Sequence, residues 1–262
     1  LPDGGDLRRH TNHQDYYARG LSSDGATLVY HAGGDLYALE PNATQGRKVE
    51  VSLTGSRTQR TRRFVYAGRW LESWTPSQQG DRIAFTTRGK AFGRGAFEGA
   101  VTQVGAPEAT RYRMIAWLAD GKRMVALADR GEEPQLVVFS ADGVTEARTL
   151  NLDIGHVLEM TPAPVGAQVA LSNHRGDFLV VDAESGDVKR IDHTAFGREE
   201  DAMHQRGLAW SADGQWLAYA FAINPRQIAI KLARVETGET WQITEPLRYD
   251  MQPSFYPEGK YL

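Results

Sequence analysis

The chain has 262 residues, 41% of them hydrophobic, with 30 basic against 33 acidic side chains and a net charge of -3. That balance is ordinary for a globular chain with a core and argues against a broad nucleic-acid-binding surface. No apolar run nears the roughly 18 residues of a membrane span, and the absence of Cys excludes disulfides, thiolate metal sites and a Cys nucleophile.

In chain order, residues 1–16 read as a turn and the outer strand of a unit that begins before the chain does. A recurring unit then sets in: an apolar or aromatic strand, a short polar turn ending in Gly, and a second apolar strand. Clear copies lie at residues 21–30, 118–126, 210–219 and 255–262, with looser ones at 74–85 and 161–170. The turn glycines fall at 25, 80, 121, 166, 214 and 259, so the gaps are 55, 41, 45, 48 and 45. Such a period is that of a four-stranded propeller blade, roughly 40–50 residues. Asp-Gly permits positive φ at a two-residue hairpin turn. A third apolar strand follows at residues 35–39, 135–139, 177–182 and 227–232. A second turn comes next, and then a polar, Thr-rich strand suited to an outer edge, such as residues 239–244. Residues 197–206 read as one short helical turn. The long gap from Gly25 to Gly80 holds Arg57, Arg60, Arg62, Arg63 and Arg69 and no clear repeat. It is either a crossover between two propellers or a long loop within one. The expected fold is all-β: four-stranded antiparallel propeller blades, incomplete at both ends, within a longer polypeptide.

Chemistry is sparse. Gly20 to Gly25 is one residue too long for a nucleophile elbow. Gly93, Gly95 and Gly99 have the wrong spacing for a dinucleotide loop. His10 and His13 fall on a strand and turn that point them to opposite faces, so no metal is expected. Asp24, Asp177, Asp182 and Asp213 recur at turns, where carboxylates accept hydrogen bonds from backbone amides. Trp74, Trp117, Trp210, Tyr30 and Tyr219 recur in the repeat and are expected to pack blade against blade. Among the cations, Arg outnumbers Lys 24 to 6. Arg88, Lys90 and Arg94 are candidates to line a channel and pair with carboxylates or a peptide C-terminus, against a solvated loop or an ion-paired interface. No catalytic residue and no cofactor is expected in these residues.

Several stretches together resemble the propeller region of tricorn proteases. They are Asp6-Leu7-Arg8-Arg9-His10-Thr11-Asn12-His13, Tyr16-Tyr17-Ala18-Arg19, Val29-Tyr30-His31-Ala32-Gly33-Gly34-Asp35, Ile83-Ala84-Phe85-Thr86-Thr87-Arg88-Gly89-Lys90, Ser172-Asn173-His174-Arg175-Gly176-Asp177-Phe178, Trp216-Leu217-Ala218-Tyr219-Ala220-Phe221 and Asp250-Met251-Gln252-Pro253-Ser254-Phe255. The ordered set spans nearly the whole chain. The resemblance implies a cytoplasmic serine peptidase that trims oligopeptides downstream of the proteasome and assembles as a homo-oligomer, a hexamer. Its two propellers act as substrate and product channels and size filters, and PDZ and catalytic domains follow them in the same polypeptide. By this resemblance residues 1–55 hold the last blade or blades of a first, six-bladed propeller. Residues 56–262 hold the first blades of a second, seven-bladed one, and the chain carries no catalytic residue. Two alternatives fit the same blade turns: a TolB-like protein-binding propeller, and the propeller of a prolyl-oligopeptidase-like hydrolase.

Overall fold

The computed structural model describes residues 5, 9–40, 42–52, 54–56, 64–107, 109–129, 133–196, 207–246, 249–256 and 261–262. The chain divides into two compact units, Leu1–Phe64 and Val65–Leu262. Among the described residues the regular structure is five four-stranded antiparallel sheets and one 3-10 turn, Ala67–Trp70.

The first unit holds β1 (Arg19–Ser23), β2 (Leu28–Ala32), β3 (Asp35–Leu39) and β4 (Arg47–Val49), paired in chain order. Tyr30 and Tyr37 stack at 5.2 Å between ring centroids, and the His13 ring meets both edge-on. His13 Nε2 lies 3.1 Å from the Tyr30 hydroxyl, and His10 Nδ1 3.0 Å from the Ala43 carbonyl. The two histidines therefore serve local packing. The expected outer strand in residues 1–11 falls largely outside the described residues, and residues 9–16 form no strand.

The second unit repeats one meander four times. Its sheets are β5 (Leu71–Pro76), β6 (Arg82–Thr87), β7 (Lys90–Gly95) and β8 (Thr102–Val104); β9 (Arg111–Trp117), β10 (Arg123–Asp129), β11 (Gln135–Ser140) and β12 (Arg148–Leu150); β13 (Val157–Pro162), β14 (Gln168–Asn173), β15 (Asp177–Asp182) and β16 (Val188–His193); and β17 (Leu208–Trp210), β18 (Trp216–Asn224), β19 (Gln227–Arg234) and β20 (Thr240–Gln242). The sheets pack face to face. Ala84, Ala91 and Val104 meet Tyr112, Trp117, Met124 and Phe139 in one core. Val125, Leu127 and Leu136 meet Val157, Val169 and Leu171 in the next, and Phe178 and Val180 meet Leu217 and Tyr219 in the third. Middle strands buried on both faces must be apolar between their ends, as β10, β15 and β18 are. The outer strands β16 and β20 are largely exposed and polar. First strands lie side by side, β5 against β9, β9 against β13 and β13 against β17. Sheets that touch along their first strands and carry polar fourth strands are radially arranged propeller blades.

The turn glycines do what the repeat demands. Gly25, Gly80, Gly121, Gly166 and Gly214 all have positive φ, between +63° and +93°; Gly259 lies outside the described residues. The loops differ from the expected two-residue hairpins. In unit 2 each is closed by a hydrogen bond across five positions: Ser77 N to Arg82 O, Leu118 N to Arg123 O, Ala163 N to Gln168 O and Ser211 N to Trp216 O. Four residues thus form the loop, and the left-handed Gly is the third of them. The same bond recurs from Tyr256 N to Tyr261 O, at the expected sixth copy. Two-residue turns occur instead between second and third strands, as at Arg88-Gly89, where both φ values are positive. The helical turn expected at 197–206 lies outside the described residues, as do Arg57, Arg60, Arg62 and Arg63 of the irregular stretch.

Candidate functional site

The four-residue loops bring the same position of each repeat together. The residue four places before each turn glycine is Pro76, Trp117, Pro162, Trp210 and Phe255 in the second unit. All five line one cavity of about 500 Å³, with Thr75, Ala116, Met160, Thr161, Ala209 and Ser254 beside them. It sits where successive first strands end, at the inner edge of the blades. The Trp210 indole N–H donates to the Thr161 carbonyl at 2.9 Å, tying one blade to the next. The Trp117 indole N–H is buried without a partner among the described residues, and the Arg82 guanidinium lies 5.8 Å from its ring centroid.

The starts of the first strands are built differently. Pairing slips by a residue at the starts of β5 and β13 and midway along β9, which marks a bulge in each. In β9 it places Met114 at φ +54°. Charged side chains gather there and tie blades together. Glu72 pairs with Arg111 at 3.2 Å. Arg113 Nε donates to both Asp129 oxygens of its own sheet at 3.1 Å, and its Nη1 reaches the Val157 carbonyl of the next sheet at 3.5 Å. The Glu159 carboxylate accepts from the Gly207 and Leu208 amides at 3.2 and 2.9 Å.

The turn carboxylates are anchors. Asp24 accepts from the Thr27 and Ala26 amides, which hold it below the usual carboxylate range. Burial works against the Asp120 carboxylate, yet the Arg123 guanidinium and the Lys122 and Arg123 amides bring it below that range. The Ser211 hydroxyl and the Gln215 amide do the same for Asp213, and the Ser185 and Glu184 amides for Asp182. Asp177 departs from the expected role. Its oxygens meet His193 Nδ1 at 3.0 Å and the Asn173 amide at 3.2 Å, while the Asn173 carbonyl oxygen accepts the turn amides of Arg175 and Asp177.

Arg88, Lys90 and Arg94 lie on the third strand β7 and the hairpin leading into it. Arg88 is exposed, with its guanidinium 5.5 Å from the Trp70 ring centroid. Lys90 Nζ donates to the Pro107 carbonyl at 2.6 Å, and Arg94 Nε to that of Gly95 at 2.9 Å. Lys90 and Arg94 are four strand positions apart, about 13 Å, and none of the three lines the first-strand cavity. Trp117 and Trp210 pack between blades as expected, but Trp74 is 61% exposed. It pairs with Phe85 and so shares the sheet face opposite Ala84, turned away from β9–β12. The collar at the first-strand ends was not anticipated. Its signal was the fixed offset from the turn glycine, obscured because Pro alternates there with aromatic rings. A second cavity, about 410 Å³, lies between the third and fourth sheets of the unit and mixes Asp182, Asp187, Lys189, Arg234 and Glu236. Among the described residues no three His, Asp or Glu are grouped to hold a metal, and no helix is long and apolar enough to cross a membrane.

The model of the tricorn protease second beta propeller domain matches residues 71–262. The chain belongs to the tricorn protease family. It is similar to the tricorn protease homolog of Saccharolobus solfataricus, 32% identical over 259 residues that cover 99% of this chain and 23% of that protein. Tricorn protease homolog 1 of Streptomyces coelicolor is likewise 32% identical, over 100% of this chain and 25% of its own length. The crystal structure of the tricorn protease superposes with a TM-score of 0.66 at 25% identity, covering 98% of this chain and 24% of the other. The chain thus spans about a quarter of the length of these tricorn relatives. A putative TolB from Agrobacterium tumefaciens, with a TM-score of 0.53 at 16% identity over 93% of this chain and 87% of the other, shares the fold.

Proposed function

We propose that this propeller segment forms part of the peptide path of a tricorn-like serine peptidase. Extended oligopeptides pass along the blade axis, folded proteins are too wide, and selection by size needs no chemistry from these residues. The observation that carries the reading is the convergence of successive first strands on one open cavity at the inner edge of the blades. Hydrolysis belongs to other parts of a longer polypeptide, in keeping with the share of the tricorn relatives that this chain covers. The same reading takes residues 1–55 as the end of a first, six-bladed propeller and 56–262 as the start of a second, seven-bladed one. It takes Arg88, Lys90 and Arg94 as secondary peptide contacts. It also places the enzyme in the cytoplasm as a hexamer, receiving oligopeptides released by the proteasome or a similar protease.

Bulk in the collar tests it. Ala209→Trp, at a half-buried lining position, should slow hydrolysis of a decapeptide several-fold in the full polypeptide carrying this chain. Hydrolysis of a single-residue fluorogenic amide should hold. Unchanged decapeptide turnover in a folded variant, or equal loss on both substrates, refutes the passage.

A further inference from the structure

We infer that the first-strand collar is a subsite for uncharged, apolar peptide side chains, so that the passage selects by polarity as well as by width. The inference rests on the peptide-path reading above. None of the sixteen residues lining the cavity is ionisable. At the chain average of 24% charged, about four would be. Packing alone does not require this, because the wall is partly open to solvent. Pro76 and Ser254 are exposed, and Met160, Pro162 and Phe255 are half-buried. Elsewhere the fold places charges freely beside cavities, as at Asp182, Lys189 and Arg234.

The wall chemistry names the occupant. Aromatic and proline rings offer flat apolar surface, and the Met160 thioether adapts to different shapes. An apolar side chain leaving water for this wall gains the transfer free energy of its buried area. A Glu or Lys side chain would leave water and meet no counter-charge. The Thr75, Thr161 and Ser254 hydroxyls and the Gln78 amide remain to hydrogen-bond the peptide main chain. Of the carboxylates nearest in sequence, Asp120 and Asp213 are engaged by their own turns and Glu159 by the Gly207 and Leu208 amides.

The test uses the full polypeptide and one neutral photo-reactive octapeptide carrying a benzophenone. Cross-linked residues are mapped by mass spectrometry. Unlabelled octapeptides alternating Gly with Leu, Glu or Lys then compete for the site. Labelling should fall on Met160 and Phe255, and the Leu peptide should compete at a concentration at least tenfold below the other two. Ser254→Glu, at an exposed wall position, should improve the Lys competitor several-fold and weaken the Glu competitor. Equal competition by all three peptides, or an unchanged ranking in Ser254→Glu, overturns the selectivity while leaving the passage standing. Labelling only outside the collar, with the octapeptide still hydrolysed, overturns the passage and the selectivity with it.

Discussion

Removing the Asp192 carboxylate tests whether neighbouring blades are held by one shared charge. Asp192 lies on β16, the outer strand of its sheet. Its Oδ2 accepts from the Tyr219 hydroxyl at 2.8 Å and from Lys231 Nζ at 2.7 Å, both in the next sheet. The Asp192 and Lys231 side chains are only 16% and 18% exposed, and Lys231 Nζ also sits 3.7 Å from the Phe221 ring centroid. Asp192→Ala leaves the ammonium largely buried with a ring face as its remaining partner. Breaking a fully buried pair costs about 3–5 kcal/mol; with a sixth of the surface still wet, the lower end, about 3 kcal/mol, is expected. Lys231→Met keeps the apolar stem and leaves the carboxylate with the Tyr219 donor, at about 2 kcal/mol. In the double variant no charge is stranded, so its cost should be about 3 kcal/mol rather than the sum. The resulting coupling, about 2 kcal/mol, is within the range seen for groups in one network. Thermal unfolding of the four proteins reads it out, with about 2–4 °C per kcal/mol for a unit of this size. A double variant whose loss equals the sum of the single losses to within about 0.5 kcal/mol would refute the shared-charge account.

Trp210→Phe should cost about 1 kcal/mol through loss of its bond to the Thr161 carbonyl. Trp117→Phe should stay within about 0.5 kcal/mol of that lost bond's absence, near neutral, because its N–H has no partner to lose; equal losses by urea unfolding would show that the two rings are held alike. Gly121→Ala and Gly214→Ala both place a Cβ at positive φ, at about 1–2 kcal/mol each. Only at Gly214 would that Cβ fall 2.5 Å from Val165 Cγ2, so its melting temperature should drop further. Stability should also narrow at both ends of the pH range. Asp120, Asp182 and Asp213 are held low in the fold, so their contribution is present above about pH 4 and fades as pH falls. Burial first and the Asp192 carboxylate next push the Tyr219 hydroxyl upward, so its contribution is full below about pH 10 and is lost above it. Melting temperature against pH checks both limbs: Asp120→Asn should soften the acid limb and Tyr219→Phe the alkaline one.

The blade repeat was legible because glycine reports a backbone requirement. Only a left-handed position makes Gly recur at 25, 80, 121, 166 and 214. The loop length was not, since one left-handed Gly serves a two-residue hairpin and a four-residue loop equally well. Outer strands announced themselves through exposure, as residues 239–244 did. Trp74 and Trp117 looked equivalent, and offsets of six and four from their turn glycines keep the same strand parity. Trp117 nevertheless faces the β5–β8 sheet, whereas the face of Trp74 is turned away from β9–β12, with no described sheet of the second unit packed on it. Asp177 looked like its turn-capping neighbours, but Asn173 had already taken the amides it would have capped. The arginine-rich composition drew attention to Arg88, Lys90 and Arg94, whereas the collar is built of residues whose individual types carry no signal.

The two ends of the first strands explain why the collar can be neutral. A strand buried between two blades has no room for charge in its middle, so charged groups that tie blades together belong at an end. The bulges put them toward the start: a slipped pair re-aims side chains and lets Glu72, Arg113 and Glu159 reach the neighbouring blade, Arg113 through the Val157 carbonyl. Beyond the bulge the register is regular, and the strands run to the position four before the glycine with Pro, Trp or Phe against the axis. Along the lining itself blade cohesion comes from ring burial and the Trp210 indole bond, while the Arg123–Glu184 ion pair and the Arg82 bond to the Gly121 carbonyl join blades outside it, which leaves the lining free of ion pairs. A charged residue inserted at the strand end would therefore stand without partners, whereas one inserted at the bulged end would join an existing set. Met160→Lys should destabilise the second unit by more than Leu158→Lys, at the bulge of the same strand beside Glu159. Equal losses in thermal unfolding would mean that the two ends of the strand do not divide charge between them.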